Sequence, residues 1–269
     1  MIVRSVIALA LVALPAVAQE DTEPAAAVAP ETSPPPEARP DDADAPAARE
    51  PGAEPGGPAF VAPGNEVAPV DAGPPMPDRI AADPEALAAC LADLDRLGVT
   101  YEVAEPIVAE DDADCGVRNA LRVTGLPDDV ALDPAAHLRC DAARALAEWT
   151  EAHVIAAADR LPDRGRLVAI EQGGSYVCRR RNNRPEGELS EHAFGNAVDV
   201  IGFRFADGPP IPVQPREREG TMAEAFQDAV RSTACLYFTT VLGPGTDASH
   251  ADHLHLDVAD RRGDFRLCQ

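Results

Sequence analysis

Two short segments carry the residues from which a metal-dependent hydrolase would be built. The first reads Ser190-Glu191-His192-Ala193-Phe194-Gly195-Asn196-Ala197-Val198-Asp199, and the second reads His250-Ala251-Asp252-His253-Leu254-His255-Leu256-Asp257. The chain has six histidines, and four of them lie in these segments. Two imidazoles and one carboxylate fill three positions of a tetrahedral zinc shell and leave the fourth for water. Zinc held in this way lowers the pKa of that water to about 7 and polarises a carbonyl.

Strands would have to present these groups. Side chains alternate between the faces of a strand. Over 253–258 that places Leu254, Leu256 and Val258 toward a core and His253, His255 and Asp257 on the other side. A second strand is expected over 198–203, between Gly195 and Gly208, and pairing it with the first brings Asp199 beside His255. His192 lies seven residues before Asp199, and Gly195 between them permits the turn that folds it back toward the carboxylate.

The surrounding pattern supplies the rest of a domain. Asp83-Pro84 opens a helix that Gly98 ends, and 100–103 reads as a short strand. Asp133-Pro134 is read as opening a long helical stretch to about Asp159, with Trp149 and His153 as packing residues and His137 at the surface or in a cap. Further strands are expected over 166–170, before a turn at Gly173-Gly174, and over 237–242. Thr221-x-x-Glu224 is a capping box that opens another helix. There is no internal repeat. The expected fold is α+β, with helices packed against a small, mostly antiparallel sheet.

Composition bounds the remainder. Arg4, an apolar run over 6–17 and Ala16-Val17-Ala18 mark 1–18 as a secretory signal peptide cleaved after Ala18. The run is shorter than the roughly 20 residues of a membrane span, and no later segment is apolar enough to be transmembrane. Residues 19–79 hold 13 Asp/Glu against 3 Arg and 15 of the 27 prolines, so they are read as a disordered Pro/Ala/acidic linker. Residues 80–269 remain for one folded domain. The formal net charge is -23, every basic residue is Arg, and there is no basic stripe, which argues against nucleic acid and anionic membrane surfaces. Cys90, Cys115, Cys140, Cys178, Cys235 and Cys268 form no CxxC. Behind a signal peptide they imply disulfides and a periplasmic or secreted protein. The expected pairing joins sequence neighbours: Cys90 with Cys115, Cys140 with Cys178, and Cys235 with Cys268. A serine or cysteine hydrolase is disfavoured, because no Gly-x-Ser-x-Gly occurs and the cysteines are committed.

Four motifs also carry a family resemblance. They are Cys115-Gly116-Val117, Gly174-Ser175-Tyr176-Val177-Cys178-Arg179-Arg180-Arg181-Asn182, the stretch from His192 to Val200, and the stretch from His250 to Asp257. Over about 85–269 the chain resembles the extensin-like C-terminal domain family of secreted bacterial proteins. Its last two motifs are similar to those of zinc peptidases with the hedgehog/D-Ala-D-Ala peptidase fold, a group that includes murein endopeptidases and D,D-carboxypeptidases. The resemblance implies zinc ligands at His192, Asp199 and His255, with Ser190 at the motif's leading serine. It offers His253 as the general base by the endopeptidase pattern and Asp252 by the carboxypeptidase pattern. On a regular strand Asp252 faces away from His255, which favours His253; a bulge at Asp252 would reverse the choice. One arginine of the run, with Arg179 and Arg181 the substrate-binding candidates, would hold a substrate carboxylate. His250 is either a loop histidine or an outer neighbour of the site, and Asp257 would orient an imidazole. The function implied is a monomeric secreted zinc peptidase or amidase acting on peptidoglycan stem peptides, of endopeptidase or carboxypeptidase type. The alternative is a non-catalytic zinc-containing module that binds the cell wall or another partner.

Overall fold

The site rests on a mixed sheet whose strands run in the spatial order that the pairings below define, with the helices gathered against its apolar face. The computed structural model describes residues 74–269. The signal-peptide assignment, and the linker assignment up to residue 73, lie outside the described residues. Folded chain begins inside the stretch read as linker: α1 (Met76–Arg79) is a single turn whose Asp78 pairs with Arg118 and whose Met76 N–H donates to Asp114.

In chain order there follow α2 (Pro84–Arg96), β1 (Thr100–Val103), β2 (Ile107–Val108), β3 (Gly116–Val117), β4 (Leu121–Leu126) and β5 (Val130–Leu138). Then come α3 (Cys140–Trp149), a π turn over Thr150–Val154, α4 (Ile155–Ala158), β6 (Leu167–Gly174) and β7 (Ala197–Phe205). The chain ends with β8 (Ile211–Pro212), α5 (Met222–Ala234), β9 (Thr240–Leu242), β10 (Leu254–Asp257) and β11 (Leu267–Cys268). The main sheet runs β1-β4-β5-β6-β7-β10-β9-β11, with β8 beside β7. Its β5–β6 and β9–β11 pairs are parallel and its other pairs antiparallel. The fold is therefore α+β, as read from sequence.

Caps act where expected. Asp83 accepts from the N–H groups of Glu85 and Ala86, a contribution of about 1 kcal/mol. Thr221 accepts from Glu224 N–H, while the Glu224 carboxylate reaches back to the N–H of Gly220. Trp149 is fully buried, edge-on to Phe203 and Phe238, and its Nε1–H donates to Val230 O. His153 packs edge-on against Tyr237, also as a packing residue.

Three further expectations are corrected. No turn interrupts Gly173-Gly174, because both glycines lie within β6. Asp133-Pro134 does not open a helix; it lies within β5, and the helix starts at Cys140. Val130, Leu132, Ala136 and Leu138 are buried along that strand. A proline suits a helix's first turn, but it equally biases its predecessor to extended backbone, and here the sheet takes it. The disulfides are Cys90–Cys140, Cys115–Cys178 and Cys235–Cys268, so only the last joins the expected neighbours. Cys90 lies on α2 and Cys140 opens α3, two helices packed together. Cys115 and Cys178 meet beside Ala193 and Phe194, next to the metal-ligand candidate His192. Proximity in space, created by the sheet, overrides proximity in sequence.

The strand that carries Asp199 shows how one face is reserved. In β7, Val198 and Val200 are buried in the core, whereas Phe203 and Phe205 keep that face farther along. The parity changes because Ile201 is skipped in the pairing with β6, where Glu171 faces Gly202 and Gln172 faces Val200. Ile201 bulges outward and is exposed. Asp199 is thus left on the face away from the helices.

Candidate metal centre

The register of β10 on β7 pairs His255 with Asp199 and Leu254 with Val200. Leu254 and Leu256 enter the core, while His255 and Asp257 face the other way, as strand alternation requires. His192 arrives from a 3-10 turn over Glu191–Phe194. Gly195 closes that turn at φ +70, where an added Cβ would stand 2.9 Å from Val117 Cγ2. Asn196 fastens the loop: its side chain donates to Glu191 and accepts from Arg139, and its carbonyl accepts from Val258 N–H.

The three side chains converge. His192 Nε2 is 3.1 Å from Asp199 Oδ1, His255 Nδ1 is 3.0 Å from the same oxygen, and the two ring nitrogens are 3.0 Å apart. Their outer nitrogens are already engaged. His192 Nδ1 lies 2.6 Å from Ser175 O, and His255 Nε2 lies 3.0 Å from Asp257 Oδ2. Both acceptors can only receive a proton, so each ring donates outward and turns a lone pair inward. Three lone-pair atoms meet with no hydrogen between them unless a cation joins them. Metal–nitrogen bonds of 2.0–2.1 Å in a tetrahedral shell separate donor atoms by about 3.3 Å, close to the spacing here. The donor set fits a divalent metal ion, and a proton would be its only substitute. The three residues form a candidate metal group in which all ligand atoms lie within 4.8 Å of one another.

Without a metal, the electrostatics favour a proton in its place. Burial opposes the charge of Asp199, but the hydrogen bonds of His192 and His255 outweigh it and hold the carboxyl far below its usual range. Burial alone would lower the pKa of His255, but its contacts with Asp199 and Asp257 win and raise it to about 9. Asp257 stays below the usual carboxylate range against its own burial, chiefly through His255. Its other oxygen accepts from Ala259 N–H.

A family model described as extensin-like protein C-terminus matches residues 88–269. The chain belongs to the extensin-like C-terminal family. No curated protein and no solved structure matches the chain. In this extensin-like domain the matched stretch includes all six cysteines and every residue of the metal group.

A cleft of about 300 Å³ opens beside the group, lined by His253, His255, Ser190, Arg179, Thr240 and Arg261 among others. A larger cavity of about 540 Å³ is lined by core-facing Phe203 and Leu254 and by none of the histidines, so only the smaller one borders the metal-ligand candidates. His253 stands at the cleft with Nε2 3.7 Å from Asp199 Oδ1 and Nδ1 held at 3.0 Å by Asp252. The Asp252 side chain is itself 89% exposed. Arg179 reaches to 4.0 Å from Asp199 Oδ2. Arg181 lies 2.7 Å from Glu188 and 4.0 Å from Glu191. Ser190 is buried, its N–H donating to Arg179 O.

One contribution was left open by the sequence reading and one escaped it. His250, left between loop and outer neighbour, is buried in the cleft wall with Nδ1 2.8 Å from Asp247 Oδ1, its ring centre 5.3 Å from that of His253. Asp247 also caps the turn through the N–H groups of Ser249 and His250, so an Asp-x-x-His spacing was the available signal. Arg261 lines the cleft from the loop after β10, and nothing in its local sequence marks it out. A second group of Asp112, Cys115 and Cys178 offers no thiolate, because both cysteines are in one disulfide.

Three disulfides, and the finding that no described helix is long and apolar enough to cross a membrane, are consistent with a secreted or periplasmic protein.

Proposed function

We propose that this domain is a zinc-dependent peptidase or amidase, exported by its signal peptide to the periplasm or beyond, that hydrolyses peptidoglycan stem peptides. The observation that carries the reading is the convergence of His192 Nε2, Asp199 Oδ1 and His255 Nδ1 with both outer ring nitrogens committed. Among the described residues no fourth His, Cys, Asp or Glu joins this group, which supports an open coordination position over a closed structural site. The antiparallel β7–β10 pair that unites the two motifs supports a hedgehog/D-Ala-D-Ala peptidase-like arrangement.

His192, Asp199 and His255 would hold zinc, which when bound supplies an activated water and a Lewis acid for the scissile carbonyl. The remaining work falls to side chains. Asp252 receives the Nδ1 proton of His253 and leaves its Nε2 lone pair facing the Asp199 side of the cleft. His253 there takes a proton from the attacking water and returns it to the leaving amine. The water oxygen bonds to the carbonyl carbon, the C–N bond breaks, and the amine leaves with that proton. Arg179, Arg181 and Ser190 flank the substrate.

The test is digestion of purified peptidoglycan by the zinc-loaded protein, with and without chelator, and product identification by mass. Zinc-dependent peptide release is expected. His255→Ala should lose the metal, whereas His253→Ala should keep it and lose about 10²–10⁴-fold in rate. Absence of turnover by the fully metallated protein, with sedimentation on peptidoglycan retained, would replace the enzyme with a wall-binding module.

A further inference from the structure

The charges lining the cleft do not all cancel within the chain. Asp199 is shared by the two histidines, Asp257 by His255 and Ala259 N–H, and Asp247 by His250 and its own turn. Glu191 is held by Asn196 and faces Arg181, which also meets Glu188. Arg179 faces Asp199. Arg261 stands apart. Its Nη2 donates to Thr240 Oγ1 at 2.5 Å, its Nε finds no acceptor, and it forms no ion pair among the described residues. Of the cleft's arginines Arg179, Arg181 and Arg261, the last alone has no carboxylate partner among the described residues, and that leaves it available to an anion.

We propose that Arg261 receives a carboxylate of the ligand and makes the cleft selective for acidic peptides. This deepens the peptidase reading and rests on it for the identity of the ligand. A guanidinium presents its donors in a planar fork that suits a carboxylate, and here Thr240 holds one arm in place. The position sets a spacing. Thr240 pairs with Asp257, two residues along β10 from His255. Strand separation and rise then put Thr240 about 8 Å from His255, diagonally across the sheet. An extended peptide advances about 3.3–3.6 Å per residue, so the recognised carboxylate lies roughly two residues from the bond at the metal.

The experiment uses the zinc-loaded full-length chain and two synthetic peptides that differ only in a free carboxylate or its carboxamide at that spacing. Binding is read by calorimetry, independently of cleavage. The wild type should prefer the carboxylate at least tenfold. Arg261→Gln should bring the ratio near one while keeping zinc stoichiometry and melting temperature, and Arg261→Lys should restore part of it. A ratio unchanged in Arg261→Gln, or no preference in the wild type, or no binding of either peptide, overturns the inference. If the wild type digests peptidoglycan yet shows no preference, the inference fails and the peptidase reading stands. If nothing is cleaved but an Arg261-dependent preference is found, the peptidase reading fails and the anion site stands.

Discussion

Replacing Asp257 by Asn tests the convergence of lone pairs directly. Asp257 is 4% exposed; its Oδ2 accepts from His255 Nε2 and its Oδ1 from Ala259 N–H, both at 3.0 Å, and the Thr240 side chain adds a further contact. An amide keeps a single acceptor oxygen, so its NH₂ must face one of these donors. If the NH₂ faces His255, the ring moves its proton to Nδ1. There the proton points at Asp199 Oδ1 and His192 Nε2, each 3.0 Å away, and the metal's lone pair is gone. If the amide turns round, His255 is kept and a buried backbone N–H is orphaned at a cost of about 1–3 kcal/mol. The first arrangement should reduce zinc affinity by about 10–100-fold, the usual effect of removing the partner of a ligating histidine. That corresponds to about 1.4–2.7 kcal/mol, similar to the cost of the second arrangement. Competition with a chromophoric chelator gives the affinity, and thermal melts of the chelated protein give the stability. Asp252→Asn is the control and should leave zinc affinity unchanged, because its side chain is exposed and touches only His253. Asp257→Asn with wild-type affinity and wild-type melting would refute the tautomer argument.

The remaining predictions concern pH and the turn. Without metal, His255 is raised from 6.5 to about 9, burial opposing and its two carboxylate contacts prevailing. Its stabilisation, on the order of 3 kcal/mol, is complete below pH 6.5 and is lost as pH rises through 9, so chelated protein should melt progressively lower over that window. Metal reverses the sign, since the ligand nitrogen must be unprotonated: zinc affinity should rise from pH 6.5 to 9, with His255 releasing close to one proton at pH 7. Calorimetry in buffers of different ionisation enthalpy counts that proton, and a count of zero contradicts the pairing of His255 with Asp199. Gly195→Ala places a Cβ at φ +70 against Val117 and should cost about 1–3 kcal/mol in urea unfolding, with weaker zinc binding because His192 rides on that turn.

What was legible in the sequence follows from the range of the forces involved. Strand alternation is local, so the separation of His253, His255 and Asp257 from Leu254 and Leu256 was readable, and the His255–Asp199 register followed from burying one face of each strand. Gly195 was readable because a tight reversal needs a residue free to adopt positive φ. Asp133-Pro134 was ambiguous because proline suits both a helix start and an extended segment, and the choice was made by the packing of β5 between β4 and β6. The Cys90–Cys140 link depends on α2 meeting α3, a tertiary event with no local trace.

Arg261 marks the limit of such reading. All 23 basic residues are arginine, and the residue after it is another, so type and spacing single out none of them. What distinguishes Arg261 is that folding assigns the nearby carboxylates of the cleft to other partners. Asp257, the acid on the strand beside Thr240, is kept ionised chiefly by His255. The same contact that aims a ligand nitrogen at the metal group thereby withholds a counter-ion from Arg261. Asp257→Ala should therefore weaken metal binding and leave the carboxylate preference in place, whereas Arg261→Gln should weaken only the preference.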